Sequence, residues 1–245
     1  MIMAKTEQHA FYRDRIFAKD LIPFALAIKE TDLLIFADTS LIEEAKKAVL
    51  QYRYQMEEYI RKTPEFLKSL IPLPFDEYAP SIIKEMMRAA IMAQVGPMAS
   101  VAGAVAEKVG KDLLNYTSQI VVENGGDIFL NVSKDLTIGI YAGNSPLSNK
   151  LGLKITSFKT PLGVCTSSGT VGHSLSFGKS DAVTVIAHST SLADATATAV
   201  GNLVKGRKDI DKGLEYAQNI KGITGTLIIV DDKFGVWGNI EIVTV

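Results

Sequence analysis

The stretch Ser191-Leu192-Ala193-Asp194-Ala195-Thr196-Ala197-Thr198 sets a carboxylate and a hydroxyl one helical turn apart within a run of small apolar residues. At i and i+4 of a helix, Asp194 and Thr198 share a face, and their oxygens could together share a cation. The same spacing has a plainer explanation. Ser191 followed three residues later by Asp194 reads as a capping box, in which Ser191 caps the helix and the Asp194 carboxylate returns to the free backbone donors. Capping accounts for Asp194 and gives Thr198 no role, so both readings stand.

Two other stretches carry polar chemistry. Asn124-Gly125-Gly126-Asp127 gathers polar residues, and its plain reading is a hairpin turn needing positive φ. The segment 165 to 174, CTSSGTVGHS, supplies the hydroxyls of Thr166, Ser167 and Ser168 and the backbone of Gly169, a composition able to cradle phosphate but also common in loops without ligands. His173 within it could act as an acid or base near neutral pH, or be an ordinary loop histidine. Cys165 is the single cysteine; it excludes an internal disulfide and a Cys-based metal cluster, and it fits a reducing cytoplasm. A lone cysteine is usually a buried, inert thiol, and spacing does not decide its reactivity.

The elements that must position these residues can be read from periodicity and punctuation. The chain has 245 residues, 47% of them apolar, enough for a well-filled core. Its 26 basic and 27 acidic side chains nearly cancel, and the longest basic block is the KGRK of 205 to 208, which argues against nucleic acid as a partner. No signal peptide is visible at the N-terminus, so a cytoplasmic protein is expected. The uncharged run 89 to 106 is long enough to resemble a membrane span, but Gly96-Pro97 in its middle predicts two short buried helices around a turn and no membrane partner.

Residues 22 to 38 read as a hairpin. Ser40 with Glu43 predicts a capping box opening a long amphipathic helix through 43 to 62, and Thr63 with Pro64 predicts the start of a second helix. Strands are expected on both sides of Gly125-Gly126 and over 136 to 141, followed by a loop-like region from 142 to 180. A strand at 182 to 187, the Asp194 helix, a helix over 210 to 220 and a closing hairpin turning at 231 to 234 complete the chain. The expectation is one α+β domain spanning 1–245, antiparallel sheets with packed helices. The order strand, helix, hairpin occurs in each half and hints at a duplicated architecture.

Taken in succession, GAVAEKVGKDLL (103 to 114), IVVENGGDIFL (120 to 130), GVCTSSG (163 to 169), AVTVIA (182 to 187) and SLADATATA (191 to 199) resemble the ApbE family, the magnesium-dependent flavin transferases. That family carries a K-G-x-A-V-D helix, a V-N-x-G-G-D turn, a T-S-G loop and an A-D-x-x-A-T-A helix in this order. The resemblance spans about residues 96 to 205. It departs in having Ala102 in place of the lysine, Glu107 near the aspartate, one extra residue in Thr166-Ser167-Ser168-Gly169, and a shortened segment around His173.

The resemblance implies an ApbE-like fold, with Mg²⁺ held by Asp194 and Thr198 beside FAD or FMN, and a ligand lined by Asn124, Gly125, Gly126, Asp127 and Thr166 to Gly169. The N-terminal features and the cysteine in GVCTSSG look like the cytoplasmic branch of that superfamily in anaerobic archaea and bacteria, for which the suggested link is sulfur assimilation toward homocysteine through a cysteine persulfide. Three readings follow: an ApbE-like enzyme binding a flavin, nucleotide or other small anionic ligand, with His173 and Cys165 as catalytic candidates; a sulfur relay on Cys165; and a binding module without catalysis. A homo-oligomer stays open in each.

Overall fold

Alternating apolar residues on both sides of Glu30 make the first hairpin: β1 (Ile22–Ile28) pairs antiparallel with β2 (Thr31–Ala37), and every other β2 residue is driven to one face. The computed structural model describes residues 16, 18, 20–169 and 178–245. His173 lies outside the described residues.

α1 (Ile42–Lys62) buries Ala45, Ala48, Val49, Tyr52 and Met56, the stripe expected of a helix lying on a sheet. Its first residue follows Leu41, and no side chain caps it. The predicted Ser40–Glu43 box therefore does not form, because the helix starts too late for Ser40 to reach its donors. Thr63 does not cap the next helix either. Its N–H closes α1 on the Tyr59 carbonyl, and α2 (Glu65–Lys68) follows Pro64 without a side-chain cap. α3 (Ser81–Ala93) ends at Gln94, and a 3₁₀ turn over Pro97–Ser100 leads into α4 (Val101–Leu113). The helical segments on the two sides of Gly96 diverge by 104°, as the Gly-Pro pair predicts; among the described residues no single helix is long and apolar enough to cross a membrane.

β3 (Ile120–Asn124) and β4 (Asp127–Asn131) form the next hairpin. Asn124 pairs with Asp127, so Gly125 and Gly126 alone make the turn, at φ 65° and 103°. β5 (Leu136–Gly139) and β6 (Leu151–Ile155) leave this sheet to form a second one. β7 (Leu162–Ser167) returns to it, followed by β8 (Ala182–Ala187). The loop-like reading of 142 to 180 is thus corrected: Cys165, Thr166 and Ser167 belong to a strand held on both edges by β4 and β8. Small polar residues are tolerated there because neighbouring strands satisfy the backbone.

α5 (Thr190–Leu203) and α6 (Ile210–Gln218) precede β9 (Ile223–Val230) and β10 (Lys233–Gly238), whose turn is Asp231-Asp232, shorter than expected. β11 (Glu241–Thr244), which sequence patterning missed, crosses to pair with β6.

The large sheet is antiparallel and eight-stranded, in the order β1-β2-β3-β4-β7-β8-β9-β10, and the small one runs β11-β6-β5. Each half of the large sheet is laid down as hairpin, helices, hairpin. Leu33, Ile35, Val122 and Phe129 face α1, α3 and α4, while Cys165, Val183, Val185 and Ile228 face α5 and α6. Leu34, Phe36, Val121, Leu130 and Leu227 point the other way and pack on the small sheet. The result is an α+β fold of three layers: helices, large sheet, small sheet.

Candidate functional site

Strand alternation places Asp127 on the helix-facing side, the side that Phe129 also occupies, and cross-strand register sets it opposite Cys165. Both are buried. Burial, and then the nearby Asp194 carboxylate, hold the Asp127 carboxyl well above the ordinary carboxylate range, while the Cys165 thiol and the Thr166 N–H pull it back by hydrogen bonding. The Cys165 thiol also reaches the Thr190 carbonyl at 3.3 Å. Its own titration is pushed up by burial and by the charges of Asp127 and Asp194.

Asp194 arrives from the second turn of α5. Its Oδ2 accepts the Gly103 N–H at 2.9 Å, so it serves the first turn of α4 instead of its own helix. The capping box is corrected accordingly: α5 is capped by the Ser189 hydroxyl, which accepts the Leu192 N–H at 3.3 Å, and Ser191 is already inside the helix. Burial raises the Asp194 carboxyl to about 7, against the lowering effect of the Gly103 and Ala102 N–H groups. Thr198, one turn further along α5, is half-buried.

The Asn124 side-chain amide donates to the Ala102 carbonyl at 3.0 Å and so ties the Gly-Gly turn to the start of α4. The Gly126 N–H donates to Glu123 Oε1 at 2.7 Å and stiffens that turn. On the α4 side, Glu107 Oε2 accepts the N–H groups of Thr190 and Ser191 at 2.7 and 3.3 Å.

Asp127, Cys165 and Asp194 therefore meet, although they come from three separate stretches, and Asn124 adjoins them through Ala102. Ser167 lies further along β7 beside α5: a Cβ added at Gly201 would sit 3.5 Å from Ser167 Oγ and 4.0 Å from Ser180 Oγ. The buried Ser180 hydroxyl has no hydrogen-bond partner among the described residues. Thr166 turns its hydroxyl to the opposite face, where it meets that of Thr184 at 2.9 Å; only its backbone faces Asp127. Gly169 lies beyond the end of β7, its N–H on the Ser180 carbonyl. Gly103 and Thr190, which bring the two helices together, and the capping part of Glu107 escaped the reading of the motifs, since a glycine within a helix and a cap supplied from a distant segment leave no local signature.

This layered α+β arrangement is the fold of the ApbE proteins. The apo flavinyl transferase ApbE of Pseudomonas stutzeri superposes at TM-score 0.60 and 16% identity, covering 89% of this chain and 93% of that one. The ApbE protein of Thermotoga maritima superposes at TM-score 0.62 and 14% identity, covering 88% and 96%. Similarity at such identities shows the fold.

Sequence relatives narrow this. The family described as "AbpE bacteria" matches residues 14–233, and the chain belongs to that family. A UPF0280 protein of Methanocaldococcus jannaschii is 47% identical over 221 residues, covering 88% of this chain and 90% of the relative. One from Methanosarcina acetivorans is 38% identical over 220 residues, covering 89% and 87%.

Proposed function

We propose that this chain binds a flavin nucleotide, or a related nucleotide or anionic ligand, together with Mg²⁺, at the cluster of Asp127, Asp194 and Thr198. The observation that carries the reading is the convergence of two buried carboxylates, from β4 and α5, whose partners are backbone N–H groups and a thiol. Two such anions side by side favour either a proton or a cation between them.

The donor set suits Mg²⁺: carboxylate and hydroxyl oxygens, with room in its coordination for phosphate oxygens of a ligand. Asp194 and Thr198 would hold the ion, which when bound supplies a Lewis acid that neutralises phosphate charge. Asp127, opposite Cys165, would add negative charge once a bound cation displaces its proton. The Asn124-Gly125-Gly126-Asp127 turn and the end of β7, Thr166 to Gly169, would line the ligand, with the orphaned Ser180 hydroxyl nearby as a further donor; His173 stays a candidate acid or base. Cys165 enters this reading through its hydrogen bonds, since burial and two adjacent carboxylates oppose the thiolate that a persulfide carrier needs.

The test is titration of the purified protein with FAD and FMN, with and without Mg²⁺, alongside Asp194→Asn and Thr198→Val. Each substitution should weaken Mg²⁺-dependent binding by about tenfold or more while thermal unfolding changes little. Unchanged Mg²⁺-dependent affinity in both variants, or no nucleotide binding by the parent protein, overturns the reading.

A further inference from the structure

α4 and α5 touch through their first turns. A Cβ at Gly103 would lie 2.6 Å from the Thr190 carbonyl oxygen and 2.8 Å from Asp194 Cβ, so only glycine lets the two backbones approach this closely. Both helices begin there with buried N–H groups that need acceptors. Each helix supplies the other's: Asp194 of α5 accepts from Gly103 of α4, and Glu107 of α4 accepts from Thr190 and Ser191 of α5. The second Glu107 oxygen is taken by Lys111 Nζ at 2.6 Å, which leaves this buried carboxylate paired on both sides.

We infer that Glu107 is a positioning residue, which by holding the first turn of α5 fixes where Asp194 and Thr198 stand relative to Asp127; the inference rests on the ligand site proposed above. Through its oxygens Glu107 bonds Lys111, Thr190 and Ser191, and not Asp127, Asp194 or Thr198. It acts through the helix: Thr190, Asp194 and Thr198 follow one another at one-turn intervals along a face of α5, so an anchor at Thr190 sets the height of the other two. The anchor is reciprocal. Releasing Thr190 and Ser191 lets α5 shift along α4, and the Asp194–Gly103 bond at the far end of the overlap loosens with it. A buried anion also complements the positive end of the α5 dipole, a role that a neutral amide fills only in part.

Two variants test this, Glu107→Ala and the conservative Glu107→Gln, first in the ligand-free protein by amide hydrogen exchange. Glu107→Ala should speed exchange at Thr190 and Ser191, and also at Gly103, whose N–H is bonded by Asp194 and not by the Glu107 carboxylate, while Val185 in the sheet core keeps its protection; Glu107→Gln should fall between. In FAD titrations, the Mg²⁺ concentration at half-saturation should rise about tenfold in Glu107→Ala, with Mg²⁺-free affinity unchanged and partial rescue in Glu107→Gln. Loss of protection at Thr190 and Ser191 with none at Gly103 overturns the inference, as does an unaltered Mg²⁺ requirement in a parent protein that binds FAD. If Glu107→Ala does not fold, Glu107→Gln gives the same comparison. If the parent protein binds no flavin nucleotide, the proposed function falls, and exchange at Gly103 still decides the coupling of the two caps.

Discussion

Cys165 stands directly opposite Asp127 in the β4–β7 ladder, and its thiol lies within reach of both that carboxylate and the Thr190 carbonyl. One S–H can serve only one of these acceptors at a time. Either choice keeps sulfur protonated and inside the core.

A small alkylating reagent should therefore leave Cys165 unmodified in the native protein and label it only after denaturation, as mass spectrometry would report. Cys165→Ala should cost about 1 kcal/mol of stability from the small void it leaves. Rapid stoichiometric labelling under native conditions would restore the sulfur-relay reading.

Two glycines separate steric from conformational demand. Gly103→Ala should force α4 and α5 apart, lowering stability by about 1–3 kcal/mol and weakening Mg²⁺-dependent nucleotide binding. Gly125 has φ 65° with open space where a Cβ would go, so Gly125→Asn, a residue tolerant of that conformation, should cost under about 1 kcal/mol. Chemical denaturation of the two variants checks the order; equal costs would mean that the helix contact is not tight.

Asp38, just after β2, accepts hydrogen bonds from the hydroxyls of Thr117 and Ser118, the Ser118 N–H and the Gln119 amide, and these bonds hold its carboxyl down at about 2. The folded value lies below the ordinary one, so the folded state binds this proton less readily than the unfolded state does. The stabilisation is present above about pH 4 and is lost as pH falls through about 2. Melting temperatures measured across that range should fall more steeply for the parent protein than for Asp38→Asn, the two curves drawing together at the acid end. Parallel curves would refute the assignment.

Local chemistry in the sequence was enough for most of the helices, for the hairpin at Gly125-Gly126 and for one family's motif order. The stripe of α1 and the Gly125-Gly126 turn are dictated by residues within one or two turns of each other, and they appear at the expected positions. The same holds for the break at Gly96-Pro97 and for Asp194 and Thr198 sharing one face of α5. Other features depended on partners that only the tertiary structure brings near. Ser191 and Asp194 had the spacing of a cap, but the Gly103 N–H, from another helix, took the carboxylate. Glu107 entered the motif comparison only as a residue near the family's aspartate, and its capping of α5 depends on the start of that helix lying against it. Cys165 to Ser167 read as loop because their own composition is polar and small, and became strand because β4 and β8 pair with them on both edges. Helix periodicity and turn conformation are set by neighbours along the chain. Which buried donor meets which acceptor is set by what packing leaves unsatisfied, and that is fixed only when distant segments close on each other.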